Sequence, residues 1–202
     1  FGYLFIAISW GMGSSLQIYM NTYFWEFKSI MLASYLGIYV LSTLSAYLIV
    51  PRLVQVIEKK TILLIAISFA ALIPPIPIIL FINNLLPDTG TWNLFYATIP
   101  FVYVANTCLS SSAIIRESML GDISDEVELE SGIGQQGLMF ASSSLIGKLN
   151  TGLGILMAGI TLEFINFPQG TDVTPSAENI FNLAMVQGPL VAILMIIPFG
   201  IF

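Results

Sequence analysis

The chain has 202 residues, of which 56% are hydrophobic and only 9% charged, with a formal net charge of −6. A soluble domain carries roughly 25% charged residues, so this composition belongs to an integral membrane protein. With no histidine and a single cysteine, Cys108, the residues supply neither a His-based zinc site, nor Ser-His or Cys-His catalysis, nor an internal disulfide, and the acidic balance argues against nucleic acid as a partner.

Six apolar runs are predicted as membrane-spanning helices, at 2–24, 29–50, 61–82, 92–115, 137–162 and 180–202. Each is about 20 residues or more, the length that a hydrocarbon core demands of a helix. Strands of a membrane barrel would be about half as long and would alternate in polarity. The chain opens at Phe1 and stops at Phe202 inside apolar runs, with no signal-peptide pattern, and reads as one piece (residues 1–202) of a longer protein.

Span one is polar for a membrane helix: Ser9, Ser14, Ser15, Gln17, Asn21 and Thr22 interrupt it. Gln17 and Asn21 stand four apart and share a face, which suits either a cavity wall or interhelical hydrogen bonding. Between spans two and three lie Arg52, Lys59 and Lys60, and Arg116 follows span four, whereas the opposite side offers only Lys28. The positive-inside rule therefore predicts that the 51–60 and 116–136 connections are cytoplasmic. Trp25, Trp92, Tyr23 and Tyr96 then gather at the outer interface, where amphipathic rings are favoured. Span three carries Pro74, Pro75 and Pro77, which remove backbone donors and predict a broken helix, tolerated at membrane depth where protein or a watery cavity covers it. Span four has Pro100 and then Asn106, Thr107, Ser110, Ser111 and Ser112.

The 116–136 connection is predicted as an acidic loop, with Glu117, Asp122, Asp125, Glu126, Glu128 and Glu130 against Arg116 alone. It lacks the spacing and the turn glycine of a calcium loop. A solvated loop is the plain reading; the alternative is that its carboxylates pair with bases elsewhere in the chain, Asp122 and Asp125 being placed to share one partner on a helical turn. Span five holds Lys148 at its middle. An ammonium near the bilayer centre costs roughly 2.5–3.5 kcal/mol on insertion scales, which calls for a partner or a task. Around it at helical spacing are Gly137, Ala141, Ser144, Thr151, Gly152 and Gly159, a small and partly polar face. Lys148 is thus open to a substrate or ion role or to a structural ion pair. The 164–179 connection reads as an ordinary outer loop and span six as structural.

The run from Met119 to Gly154 resembles the signature between the tenth and eleventh helices of the glycoside–pentoside–hexuronide:cation symporters, the melibiose-permease branch of the major facilitator superfamily. Met119, Leu120, Asp122, Asp125, Glu128, Gly132, Gly137, Ser143 and Lys148 stand at matching places, and VPRLVQVIEKKTIL resembles the family's loop between helices eight and nine. Two departures make the loop more acidic: Ile133-Gly134-Gln135-Gln136 where the family carries Arg or Lys, and Glu126 in place of an aromatic. The resemblance implies an all-α fold of six transmembrane helices, the carboxy-terminal half of a twelve-helix transporter in the cell membrane. It places Lys148 near the sugar and cation sites, and Asp122, Asp125 and Glu128 in a cytoplasmic gate against the amino-terminal half, which would also hold most of the sodium- or proton-binding acids. Gln17, Asn21 and Asn106 are the candidate polyol contacts, because amides offer both donors and acceptors. No cofactor or metal is expected. The functional expectation is cation-coupled sugar or glycoside transport, with lysolipid transport on the same fold as its rival. A membrane-embedded enzyme would need a nucleophile and base, and a scaffold subunit would tolerate Lys148→Leu.

Overall fold

The computed structural model describes residues 2–168 and 175–196, with side chains for 8–168 and 175–194. Among them the fold is all-α. Helix α1 (Gly2–Tyr19) runs into a π-helical turn (Met20–Phe24), followed by α2 (Ser29–Leu53), α3 (Lys59–Leu72) and α4 (Pro75–Ile82). Then come α5 (Trp92–Ser131), α6 (Gln136–Phe164), α7 (Ala177–Met185), a second π-helical turn (Val186–Leu190) and α8 (Val191–Ile196). Together these make six spans, the third and sixth each built from two helices. Stretches in α2, α3–α4, α5, α6 and Ala177–Leu194 are long and apolar enough to cross a membrane. Part of the 164–179 connection, and the end of span six beyond 196, lie outside the described residues.

Apolar side chains face outward as well as inward. On α2 alone Leu36, Val40, Leu44 and Leu48 form an i, i+4 stripe, each more than half exposed. A water-soluble protein rarely leaves so long an apolar stripe uncovered, and lipid is the solvent it suits. The first span is the polar exception, and one face of it is buried, with Met12, Leu16 and Met20 almost fully covered, while Trp10, Ser14, Ile18 and Thr22 stay exposed. A face covered by protein has no need of a uniformly apolar surface.

The tightest packing is between α1 and α6. The buried face of α6 repeats every fourth residue through Asn150, Gly154, Ala158 and Leu162, the small-xxx-small pattern that lets membrane helices approach closely. A Cβ added to Gly154 would stand 2.6 Å from the Cα of Gly11 and 2.8 Å from the carbonyl oxygen of Ile8. Only two glycines can meet at that distance.

At one end of the bundle the connections interlock through aromatic rings. Trp25 packs edge-on to Phe24 at 4.6 Å and Phe27 to Phe95 at 5.5 Å, with Trp92 against Phe95 and Tyr96. The Gly90 amide donates to the Trp25 carbonyl (2.9 Å), and Thr89 donates to Glu26. The aromatic residues expected at one interface are therefore neighbours at one end. Span three is broken as its prolines predict: α3 stops at Leu72 and α4 restarts at Pro75, the position where proline's missing donor costs nothing.

The acidic connection differs from the expected loop. Helix α5 has 40 residues, about 60 Å at 1.5 Å per residue, roughly twice a hydrocarbon core. Its last turns carry the carboxylates outward, and it ends at Gly132, whose φ of 69° closes the helix by donating to the Glu128 carbonyl. Only 132–135 turn between α5 and α6. Glu, Leu and Met favour helix in this segment, and its one glycine before Gly132, Gly121, costs only about 1 kcal/mol inside a helix.

Gly154→Val is expected to lower thermal stability in detergent by roughly 1–3 kcal/mol or to abolish folded expression, because no side-chain movement can relieve a backbone clash. Gly152→Ala, on the same helix with nothing within 4 Å, should leave the melting temperature unchanged or raise it slightly. Equal effects at both positions in a fluorescence-detected thermal melt would dismiss the close contact.

Candidate functional site

A cavity of about 620 Å³ opens inside the bundle, within the range of small-molecule sites. Its wall is drawn from every span except the fifth, and no charged side chain lines it. Three helix irregularities meet there: Asn21 in the first π turn, Pro74 and Pro75 at the break of span three, and Gln187 and Gly188 in the second π turn. The second π turn has an evident cause, since Pro189 lacks an N–H and the wider register absorbs the misfit; the Val191 amide bonds five residues back to Val186. Gly188 lets α4 come close: a Cβ there would lie 3.0 Å from Ile78 Cδ1. The mouth is flanked by exposed Trp10, Ser14, Ile18 and Leu36.

Gln17, Asn21 and Asn106 all line this cavity. Gln17 Nε2 donates to Asn21 Oδ1 at 3.0 Å, so the shared face read from their spacing is a direct contact. Gln187 joins them: its Nε2 donates to Gln17 Oε1 (3.1 Å) and to the Gly13 carbonyl (2.9 Å). Asn106 stands on the opposite wall and donates through Nδ2 to Ser42 Oγ and, at 3.4 Å, to the Tyr39 carbonyl. It is one rung of a polar ladder between α2 and α5, which also holds Tyr35 with Thr98 (3.1 Å) and Thr43 with Ser110 (3.2 Å). Thr98, Thr107 and Ser110 of span four thus bond across to α2, whereas Ser111 and Ser112 bond carbonyls of their own helix, and Asn106 bridges to α2 while lining the cavity.

Lys148 is elsewhere. It is exposed on α6, is not part of the cavity wall, and forms no ion pair with any described carboxylate. Its small-residue face is uncovered, with nothing within 4 Å of a Cβ at Gly137, Gly152 or Gly159. The structure therefore separates Lys148 from the three amides, and within this six-helix unit the structural ion pair has no candidate among the described residues.

The acidic residues divide their partners. Asp122 pairs with Lys59 at the start of α3, which puts the basic 51–60 segment and the acidic end of α5 side by side. Asp125 instead accepts from Gln136 Nε2 at 2.9 Å, and Glu128 lies 3.5 Å from the same atom. Arg116 bonds its neighbour Glu117 at 2.8 Å. A single partner shared by Asp122 and Asp125 is not present. No group of three or more potential metal ligands occurs among the described residues. Gln187 was invisible to reasoning by motif. Its only signal is a lone amide beside Gly188-Pro189 in an apolar run.

A bundle of apolar spans around an uncharged, largely apolar cavity that carries four amides defines a multi-pass membrane protein with an internal cavity of small-molecule size. Residues 1–201 match the family described as MFS/sugar transport protein, and the chain belongs to that family. No curated protein and no solved structure gives a significant match.

The Lys59–Asp122 pair is solvent-accessible, with side chains 31% and 62% exposed, so its contribution to stability is expected to stay below about 1 kcal/mol. A double-mutant cycle of Lys59→Met and Asp122→Asn, read as detergent melting temperatures, should give near-additive losses. A coupling well above that bound would make the pair a structural lock.

Proposed function

We propose that this chain forms half of a cation-coupled secondary transporter of a neutral sugar or glycoside, working by alternating access with a second six-helix half in the cell membrane. The observation that carries this reading is the uncharged cavity whose largely apolar wall carries the amides of Gln17, Asn21, Gln187 and Asn106. Polyols need paired donors and acceptors, and amides supply both without the cost of a charge at membrane depth. The lack of a charged wall residue disfavours a lysophospholipid, whose headgroup would need a counter-charge within reach.

Lys148 enters this mechanism from outside the cavity. Its uncovered face would meet the second half, where an ammonium can orient carboxylates or compete with the coupling sodium ion or proton for them. Asp122, Asp125 and Glu128 would act at the end of the bundle where Lys59 already pairs, closing against bases of the other half. Opening the gate then requires exchange of exposed ion pairs, each weak enough to break on the timescale of transport.

The test is uptake by the complete transporter in proteoliposomes, using labelled glycosides, pentosides and hexuronides with and without an inward sodium gradient at matched pH. Uptake of one panel member that rises with the gradient and falls by about tenfold or more in Lys148→Leu, with insertion unchanged, is the expected result. Uptake that ignores both sodium and proton gradients would overturn the coupling. Failure with every sugar, alongside uptake of a lysolipid, would shift the substrate class.

A further inference from the structure

Amide side chains have two chemically different ends, and the hydrogen bonds around the cavity dictate which way each one points. The Gly13 carbonyl can only accept, so the nitrogen end of Gln187 must face it, at 2.9 Å. The second N–H of that nitrogen reaches Gln17 at 3.1 Å, which obliges Gln17 to present its oxygen. The nitrogen of Gln17 is thereby turned to Asn21, which presents its oxygen in turn at 3.0 Å. What remains at the end of the sequence is Asn21 Nδ2, a donor that makes no hydrogen bond among the described residues, on a residue that lines the cavity. Turning any one amide round would set like against like, oxygen against oxygen at Gln187 or nitrogen against nitrogen at Asn21.

We propose that Gln187 is a positioning residue that sets the polarity of the Gln17–Asn21 pair, so that this wall of the cavity offers N–H donors and selects a solute with an acceptor there. The inference rests on the transport reading for the identity of the solute, but the amide order stands without it. The arrangement has a cost that shows which end matters: Gln187 Oε1 is buried without a partner, while both of its N–H groups are engaged. An orphaned acceptor is retained and the donors are not. Both π turns contribute, because one carries Gln187 and the other carries Asn21. The opposite wall is complementary, since Asn106 uses its nitrogen on α2 and leaves its oxygen outside those bonds. A hydroxyl-bearing ring between the walls would accept on the Gln17–Asn21 side and donate on the Asn106 side.

Gln187→Glu removes both donors at nearly constant shape. Gln17 must then turn its nitrogen to residue 187, Asn21 must turn its nitrogen to Gln17, and Asn21 presents oxygen to the cavity instead. The uptake assay uses methyl glycosides of galactose, glucose and xylose, each with deoxy and fluoro analogues ring position by ring position. In the unmodified transporter one deoxy position should raise KM about tenfold, while fluorine there, which accepts weakly and donates nothing, should raise it less than about threefold. In Gln187→Glu the fluoro analogue should become as poor as the deoxy one, with Vmax changing little. An unchanged fluoro-to-deoxy ratio in a variant that still transports would overturn the proposal.

A second measurement needs no solute and no variant that folds differently. In glutamine-labelled protein in nanodiscs, the side-chain amide protons of Gln187 and Gln17 should exchange with deuterium at least about a hundredfold more slowly than those of exposed Gln55 and Gln136, as bonded interior groups do. Exchange as fast as Gln55 would reject the amide order even if sugar uptake is found. Slow exchange without uptake of any sugar would keep the amide order and discard the sugar.

Discussion

The Gly11–Gly154 contact is the constraint on which the rest of the arrangement hangs. Helix α6 meets the bundle through α1, and where they cross there is no room for even one methyl group. In lipid no hydrophobic force drives helices together, so close backbone approach and the dispersion it yields must supply the cohesion. That crossing also relates the two polar features of the unit. Lys148 lies six residues before Gly154 on α6, and Gln17 on α1 and Asn21 in the π turn that follows lie six and ten residues beyond Gly11. Any slip of the crossing would move the ammonium relative to the amides.

Around the cavity the structure departs from regular helix three times, and in a membrane each departure must be supported. A spanning helix satisfies its backbone internally, and a carbonyl freed by proline or by a π turn has no water to fall back on. The breaks here are clustered: span three restarts at Pro75, Gly188 admits Ile78 beside it, and the first π turn carries Asn21 into the same space. Protein and cavity, rather than lipid, surround them. Irregular backbone of this kind gives side chains directions that a straight helix does not offer, which is how Gln187 reaches back to Gly13.

Much of this was legible in the chain because membrane physics writes large signals. Span lengths, the proline break and the grouping of Trp25 with Trp92 follow from hydrocarbon thickness, missing donors and interfacial preference. The Gln17–Asn21 contact follows from a spacing of four. What the sequence concealed were relations across long separations. Gln187 stands 170 residues from Gln17, and nothing local marks them as partners. The acidic segment misled for another reason: charge density suggested a loop, whereas its helix propensity carried α5 on to Ser131. Asn106 had two uses that polarity alone does not separate, and it serves both.

The division between an uncharged cavity and an isolated lysine is itself informative. Placing Lys148 among the amides would put a full charge in a low-dielectric pocket, where it would bind anions and repel cations. Held at mid-span on a face of α6 that this unit leaves uncovered, the charge keeps its cost of roughly 2.5–3.5 kcal/mol unless protein or water covers it. Its energy therefore depends on the relation between α6 and whatever packs there, whereas the amide wall depends on the inside of the bundle alone. The amide wall and the charge therefore answer to different neighbours: the first to packing within this unit, the second to what covers α6.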